Sequence, residues 1–318
     1  MLNVSWLTFY NVLVKYLWSI KQSLKKDKMI KNTILAMLAL GILTTSCDSD
    51  DDNAPTTANL TINLAGLEEL GSDFVYEGWV IVDGVPVSTG TFSSVDFPQS
   101  FSVDADQLAS ASTFVLSIEP AVDSDPAPAA TKILAGDFSG SSASVNSNNI
   151  VADLSSSTGK YILATPTDED ETNEESGVWF LDNSGEAAVQ GLDLPTLSDG
   201  WVYEGWVVFD GTPVSTGTFT DPNAADNNAA TSVFKGDAGN GPGYPGEDFL
   251  QNAPSGLTFP TDLKERTIVI SVEPSPDNSD APFTLKPLAH VVPADAMNHT
   301  VIDMGAGPVV SLSGTVTR

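Results

Sequence analysis

The chain is poor in cysteine, histidine and basic residues, and each shortage excludes a class of function. A single cysteine in 318 residues excludes an intrachain disulfide framework and a cysteine-based zinc site. The two histidines, His290 and His299, leave little material for imidazole chemistry. The 13 Lys and Arg residues face 42 Asp and Glu, and the resulting net charge of -29 opposes binding to nucleic-acid phosphates. We therefore expect no nucleic-acid partner and no bound cofactor.

An apolar stretch near the N-terminus has the features of an export signal. Lys31 precedes the apolar stretch 34–43, and small polar residues then lead to the lone cysteine, Cys47. The stretch is about half the roughly 20 residues that a transmembrane helix needs. The pattern resembles the signals of bacterial lipoproteins, in particular those of Bacteroidota. This resemblance implies that Cys47 carries a lipid anchor.

The resemblance also divides the N-terminal region. We interpret residues 1–28 as a misannotated extension, 29–46 as the signal peptide and 47–57 as an acidic tether. The acidic run 48–52 resembles the tether that directs many Bacteroidota lipoproteins to the outer face of the outer membrane. We expect an exported lipoprotein of the outer membrane, exposed at the cell surface and held by its acyl chains.

The rest of the chain contains one segment written twice. Residues 75–92 read VYEGWVIVDGVPVSTGTF and residues 202–219 read VYEGWVVFDGTPVSTGTF, with 15 of 18 positions identical. FVLSIEP, starting at Phe114, is answered by IVISVEP, starting at Ile268. The second copy has 27 more residues between these two segments, which predicts a Gly/Pro-rich insertion at about 220–263.

Local patterns in both copies predict antiparallel strands. Asp83-Gly84 and Asp210-Gly211 each separate two Val-rich runs, as in a hairpin with a type I′ turn. The prolines at positions 86 and 213 lack an N–H, so the second strand of each hairpin is expected near a sheet edge. No convincing amphipathic helix follows the signal. We predict an all-β protein with two tandem antiparallel β-sandwich domains, over residues 58–157 and 158–318.

The order YEGW, DG, PVSTGTF and then (I/V)EP resembles the C-terminal extracytoplasmic domain of anti-sigma-K factors, the RskA family, in two tandem copies. Anti-sigma factors of this type have a cytoplasmic sigma-binding segment ahead of a transmembrane helix, and we find no such sigma-binding segment here. The resemblance therefore implies a sensing or ligand-binding module rather than a sigma-factor inhibitor. The residues that carry it are Glu77, Trp79, Gly90, Glu119 and Pro120 in the first copy, and Glu204, Trp206, Gly217, Glu273 and Pro274 in the second.

The repeated glutamates allow two interpretations. The pairs Glu77 with Glu119 and Glu204 with Glu273 could serve a surface hydrolase, because glycosidases use paired carboxylates. The duplication keeps them together with glycine, proline and core residues, so we favour a structural role in which they accept backbone hydrogen bonds at strand ends. We accordingly predict no catalytic residue.

Other side chains could bind a ligand. Trp79 and Trp206 could line a cleft, although their strand positions favour the core. The insertion is the better binding element, and Tyr244 and Phe249 give it aromatic contact groups.

The acidic loops after each EP, including Asp123 and Asp280, offer oxygen ligands for calcium. Their spacing does not match an EF-hand loop, so a solvated acidic surface is preferred over a calcium site. Neither histidine belongs to a repeated site, and we predict no metal site.

We therefore expect a non-enzymatic envelope lipoprotein that serves binding, sensing or scaffolding, with an envelope protein as partner. One alternative is a regulator of sigma-factor activity that acts through such a partner. The second alternative is the surface hydrolase with paired glutamates.

Overall fold

The computed structural model describes residues 55–276 and 279–318. Cys47, the signal peptide and most of the tether lie outside these residues. In chain order the elements are β1 (Thr57–Ala65), β2 (Phe74–Val82), β3 (Val85–Phe92), β4 (Gln99–Asp104), α1 (Ala105–Ser110), β5 (Thr113–Pro120), β6 (Lys132–Ser139), β7 (Ser142–Asn146), β8 (Thr158–Leu163), a 3-10 turn (Glu174–Ser176), β9 (Gly177–Trp179), β10 (Leu181–Asp182), β11 (Val189–Gln190), β12 (Leu192–Asp193), β13 (Trp201–Phe209), β14 (Thr212–Phe219), β15 (Gly246–Asp248), β16 (Thr267–Pro274), β17 (Lys286–Val291), β18 (Ile302–Asp303), β19 (Gly305–Val309) and β20 (Ser313–Thr317).

The strands form two large sheets and two smaller ones. The first has eight strands in the order β3-β2-β5-β6-β7-β20-β1-β4, and the second has the order β14-β13-β16-β17-β19. A smaller sheet joins β12, β8, β9 and β15, with β18 beside β8, and β10 pairs with β11. Within the described residues every strand pair is antiparallel. The predicted all-β antiparallel class is confirmed, and the layered sheets are compatible with a β-sandwich.

Both predicted hairpins are present. Asp83 and Gly84 have φ values of 51° and 81°, and Asp210 and Gly211 have values of 50° and 90°, as a type I′ turn requires. Strands β3 and β14, which contain the prolines, are edge strands as predicted. Each hairpin also has a bulge at the same place, between the Gly and the Trp of the EGW motif.

Helix α1 is a short connector between β4 and β5. Asp104 caps it, because its Oδ1 accepts the N–H groups of Asp106 at 3.1 Å and Gln107 at 3.0 Å. Leu108 fixes the helix to the core. Among residues 55–276 and 279–318, no helix has both the length and the apolar character needed to cross a bilayer.

The last strand belongs to the sheet of the first repeat. β20 lies between β1 and β7, where Val316 faces Ile62 on one side and Ala143 on the other. The guanidinium Nη1 of Arg318 donates to the carbonyl oxygens of Leu108 and Ala111, both at 2.7 Å. Residues near position 315 therefore complete a sheet that begins near position 57.

Apolar side chains of both repeats pack into one continuous core. Tyr76 of the first repeat and Tyr203 of the second belong to the same cluster of buried residues. Each tyrosine stacks on the last phenylalanine of its own hairpin, at ring distances of 5.5 and 5.6 Å. Residues Pro55–Arg318 form one compact unit. The predicted domain boundary between residues 157 and 158 stays a prediction, but the two repeats share their interior.

The insertion is packed against the second repeat. Its strand β15 pairs with β9, with Gly246 opposite Trp179. Phe249 is fully buried and contacts the rings of Phe209 and Phe234 at 5.1 and 6.1 Å. The predicted Gly/Pro-rich loop thus contributes both to a small sheet and to the core.

Candidate functional site

A tryptophan, a serine and a glutamate form the same hydrogen-bonded chain in both repeats, which we call the Trp-Ser-Glu bracket. In the first repeat Nε1 of Trp79 donates to Ser117 Oγ at 2.8 Å, and the Ser117 hydroxyl donates to Glu119. Glu119 also accepts the backbone N–H of Ala129 at 2.8 Å. The bracket fastens the end of β5 to the loop that follows it.

The second repeat builds the same bracket with the same distances. Nε1 of Trp206 donates to Ser271 Oγ at 2.8 Å, and the Ser271 hydroxyl donates to Glu273. The backbone N–H of Phe283 donates to Glu273 at 2.8 Å. Ser271 and Glu273 have no exposed surface. Because a buried carboxylate is costly without donors, these bonds tie Glu273 to the scaffold.

The other two repeated glutamates also bond to serines of their own hairpins. The hydroxyl of Ser88 donates to Glu77, and the hydroxyl of Ser215 donates to Glu204. Burial raises the pKa of Glu119 above its usual range, against the lowering effect of its hydrogen bonds, and the nearby charge of Glu77 adds to the increase. The predicted glutamate pairs are thus close enough to interact electrostatically in the first repeat, and all four side chains have scaffold partners.

We expect Ser271→Ala to lower the free energy of unfolding by about 2 kcal/mol, because a buried indole N–H and a buried carboxylate each lose a partner. Ser117→Ala should have a similar effect in the first repeat. Ser139→Ala, on an exposed strand position, is the matched control and should stay within about 0.5 kcal/mol of the parent. Urea unfolding followed by tryptophan fluorescence measures all three, and equal values for Ser271→Ala and Ser139→Ala would contradict the bracket's role.

A cleft of about 590 Å³ lies beside the bracket of the second repeat, and we call it the second-repeat cleft. Its volume falls in the range of small-molecule sites. Three segments surround the EGW motif there. The lining residues are Glu204 and Trp206 from β13, Thr212–Ser215 from β14, Phe234 and Pro254 from the insertion, and Ser279–Ala281 from the loop before β17.

The second-repeat cleft combines apolar walls with two acidic groups. Pro213, Phe234 and Pro254 give the cleft apolar walls, and the acidic residues Glu204 and Asp280 also line it. Glu204 is 4% exposed, whereas Asp280 lies at the exposed rim. None of the described residues that line the cleft is basic. The described lining is therefore mainly apolar, and its exposed acidic group, Asp280, lies at the rim.

The corresponding edge of the first repeat has a different neighbour. Phe92, at the end of β3, contacts Phe101 of β4 with a ring distance of 5.7 Å. The shorter connection from β3 to β5 provides no counterpart of Phe234 or Pro254. The two repeats thus share the bracket but differ in what lies beside it.

The two aromatics of the insertion that the sequence suggested as contact groups make contacts within the chain. Phe249 is fully buried, and the Tyr244 hydroxyl donates to the carbonyl oxygen of Ala188 at 2.9 Å. Neither residue lines the second-repeat cleft, where Phe234 and Pro254 are found instead. The sequence predicts an insertion that contains aromatic residues. It does not predict which of these residues lines the cleft. The two tryptophans are almost fully buried, at 3% for Trp79 and 2% for Trp206.

The insertion also contains a group of three buried carboxylates that the sequence analysis did not single out. Asp226, Glu247 and Asp248 are 6%, 2% and 0% exposed. Burial raises the pKa of Glu247 to about 8, with further increases from the charges of Asp226 and Asp248. Burial likewise raises the pKa values of Asp226 and Asp248 to about 6.

Neutral donors hold these carboxylates in place. Asp248 accepts the indole N–H of Trp179 at 2.7 Å and the backbone N–H of Thr167 at 2.8 Å. Asp226 accepts the backbone N–H of Gly246 at 2.9 Å. In the part of the chain that the structure describes, none of the three forms an ion pair. The group therefore favours its protonated forms more strongly than exposed carboxylates do.

The acidic loops and histidines make local contacts. Asp123 Oδ1 accepts the backbone N–H of Asp125 at 2.8 Å, which stabilises a turn. Nε2 of His299 lies 3.1 Å from Glu174, and Nδ1 of His290 lies 3.0 Å from the Tyr161 hydroxyl. Within residues 55–276 and 279–318, no three His, Cys, Asp or Glu side chains are arranged to hold a metal ion.

Part of the chain matches the model of a known family. Residues 51–133 match the family described as anti-sigma-K factor rskA, C-terminal. The matched segment includes the first EGW motif and the first bracket, and it is about a quarter of the chain. No curated protein and no solved structure matches the chain. The first repeat is therefore similar to this regulatory domain, and a second copy of the family domain stays a prediction.

Proposed function

We propose that this chain is a noncatalytic binding module of the bacterial cell envelope, anchored through a lipid on Cys47 and exposed at the outer membrane. The observation that carries the proposal is the contrast between the repeated glutamates and the cleft, which lies beside the second repeat. The duplicated glutamates are engaged in scaffold hydrogen bonds, whereas the cleft is built where repeated strands meet residues outside the repeat. A scaffold that presents one such cleft suits recognition better than turnover.

The acidic surface supports this role at a membrane. From Cys47 onward the chain has 41 acidic and 7 basic residues, so anionic headgroups repel it and its folded part extends away from the bilayer. A module of this kind can meet an envelope protein in front of the membrane. The proposed location rests on the predicted export signal and on the predicted lipid at Cys47. Mass spectrometry of the N-terminus of the native protein tests both predictions.

Site-specific crosslinking in cells tests the binding function. A photoreactive phenylalanine analogue at position 281 would lie on the rim of the second-repeat cleft, and the same group at position 122 would lie on a 95% exposed residue elsewhere. We expect a discrete covalent adduct with one envelope protein from position 281 and none from position 122. Absence of an adduct from position 281, or the same adduct from both positions, would contradict the proposal.

Similarity of residues 51–133 to the anti-sigma-K domain supports a second candidate, regulation of a sigma factor through the envelope partner. In that case the crosslinked protein would itself span the inner membrane, or contact a protein that does. Deletion of this chain should then change transcription from promoters of one alternative sigma factor. Unchanged transcription across the genome would contradict the regulatory role and would leave the binding function unaffected.

The hydrolase alternative is tested with the repeated glutamates. Glu77→Gln and Glu204→Gln keep the shape of the side chains but remove their charge. We expect the parent to hydrolyse none of a panel of aryl glycosides and both variants to lose thermal stability. A measurable turnover that the variants lose while they keep the parental melting temperature would instead establish catalysis.

A further inference from the structure

We propose that Asn240, in the insertion, is a site of spontaneous deamidation, at which the backbone nitrogen of Gly241 displaces the side-chain amide as ammonia. The inference concerns the covalent chemistry of the insertion and is independent of the proposed binding function. Asn240 and Gly241 form the single Asn-Gly sequence of the chain. A glycine after asparagine leaves no side chain to hinder the attack, and its backbone adopts conformations that other residues avoid.

The structure leaves both reacting groups available to each other. The Asn240 side chain is exposed, and within residues 55–276 and 279–318 no hydrogen bond engages its amide or the N–H of Gly241. Gly241 has a φ of 81°, in the left-handed region that favours glycine. No bond within the described chain therefore has to break before the amide and the backbone nitrogen meet.

Asn183, which is also followed by a small residue, shows the protected case. Its Nδ2 donates to the carbonyl oxygen of His299 at 2.9 Å. The backbone N–H of Ser184, whose nitrogen would have to attack, donates to Asp182 Oδ1 at 2.9 Å. Both bonds must break before a ring can close at this site, so we expect the fold to slow deamidation of Asn183 but not of Asn240.

The reaction needs only water as a co-reactant. The Gly241 nitrogen forms a bond to Cγ of Asn240, the Cγ–Nδ2 bond breaks, and the backbone N–H proton leaves with the amide nitrogen as ammonia. Water then opens the resulting succinimide, adding a hydroxyl group to one of its carbonyl carbons and a proton to its nitrogen. Opening at Cγ gives aspartate, whereas opening at the backbone carbonyl gives isoaspartate, whose chain continues through Cβ and Cγ. Both products carry a new carboxylate.

The isoaspartyl product changes the chain where it passes Trp179, which is 2% exposed. A Cβ atom on Gly241 would lie 2.0 Å from Cη2 of this indole, and a Cβ atom on Gly246 would lie 2.7 Å from its Cε3. The backbone is thus packed against the ring at both glycines. Isoaspartate adds a carbon to the backbone directly before Gly241, and close packing absorbs it only through a shift of the chain.

Incubation of the full chain in detergent and heavy-oxygen water at pH 7.4 and 37 °C tests the modification, because deamidation during the incubation incorporates the label. Tandem mass spectrometry of proteolytic peptides locates the labelled residue and distinguishes aspartate from isoaspartate. We expect Asn240 to acquire label in the folded chain. Unfolding in guanidinium chloride should speed labelling of Asn183 at least tenfold and change that of Asn240 less than threefold. Label at Asn240 only after unfolding, or equal acceleration at both sites, would overturn the proposal.

Two variants separate the ring closure from its consequence. Asn240→Gln would have to form a larger ring, so it should acquire no label in the same incubation, and label at this position would overturn the cyclisation route. Asn240→Asp carries the new charge on a normal backbone. Hydrogen exchange at residues 241–248 should show a population at least threefold faster in the deamidated chain, in proportion to its isoaspartate, and parental exchange in Asn240→Asp. Equal exchange in these two acidic forms would overturn the structural consequence.

Discussion

Removing residues 313–318 is expected to abolish the cooperative thermal unfolding transition of the chain. β20 lies between β1 and β7, and its loss would leave both strands with unpaired backbone groups in the middle of an eight-stranded sheet. Val316 has no exposed surface, so the truncation also opens the core. Circular dichroism at the strand band and calorimetry measure the loss.

Arg318→Ala is the control for this truncation. It removes the bonds to Leu108 and Ala111 but keeps the strand, so we expect a loss of about 1 kcal/mol and a preserved transition. A synthetic peptide of residues 311–318 added to the truncated chain should restore part of the transition. A truncated chain that melts within a few degrees of the parent would show that β20 contributes little to the fold.

Raising the pH from 5.5 to 8.5 is expected to destabilise the protein by a few kcal/mol, or about 5–10 °C in melting temperature for a chain of this size. The pKa of Glu247 is about 8 in the folded chain and ordinary in the unfolded chain, so the folded chain binds more protons between these values. The stabilisation is complete below the unfolded pKa and is lost as the pH rises through about 8. Asp226 and Asp248, with pKa values of about 6, act in the same direction at lower pH.

The charged groups around these carboxylates do not reverse the direction of this pH effect on stability. The charge of Asp168 further raises the pKa of Asp248. The ammonium of Lys235, the basic residue of the insertion, donates to the carbonyl oxygen of Gly239 at 2.7 Å. The increase in pKa therefore reflects burial among like charges without an opposing ion pair in the described chain.

Glu247→Gln separates this effect from general alkaline destabilisation. The neutral amide needs no proton, so the variant should be more stable than the parent at pH 8.5 and should show a flatter pH profile. The Ser232 hydroxyl can rotate to suit the amide, since it now bonds the Glu247 carboxylate. Glu186→Gln, on the exposed surface, should follow the parental profile. Parallel profiles for the parent and Glu247→Gln would contradict the assignment.

The sequence predicted those parts of the fold that short-range chemistry determines. Asp-Gly between two Val-rich runs specifies a type I′ turn, and a proline in the second strand specifies an edge, so both hairpins could be placed before the structure. The position of β20 could not be predicted, because its partner β1 is about 250 residues away and alternation alone does not identify a partner. The shared core follows from the same long-range pairing.

The sequence predicted only those residues of the candidate site that belong to the duplicated segment. Duplication drew attention to Glu204 and Trp206, and both line the second-repeat cleft. Phe234 and Pro254 occur once, in a loop with no alternation, so their orientation depends on how the insertion packs. The buried group around Glu247 was missed because an acidic residue in a Gly-rich segment is typically exposed.

In the second repeat, different residues maintain the fold and line the cleft. The strands and brackets keep the shape of the repeat, while Phe234 and Pro254 reach the cleft from a segment that the first repeat does without. Changes at Pro254 would alter the lining of the cleft, whereas Phe249 of the same segment belongs to the core. If the cleft binds a ligand as proposed, changes in this one loop would alter its specificity while the strands stay the same, as antibody loops do on a constant framework.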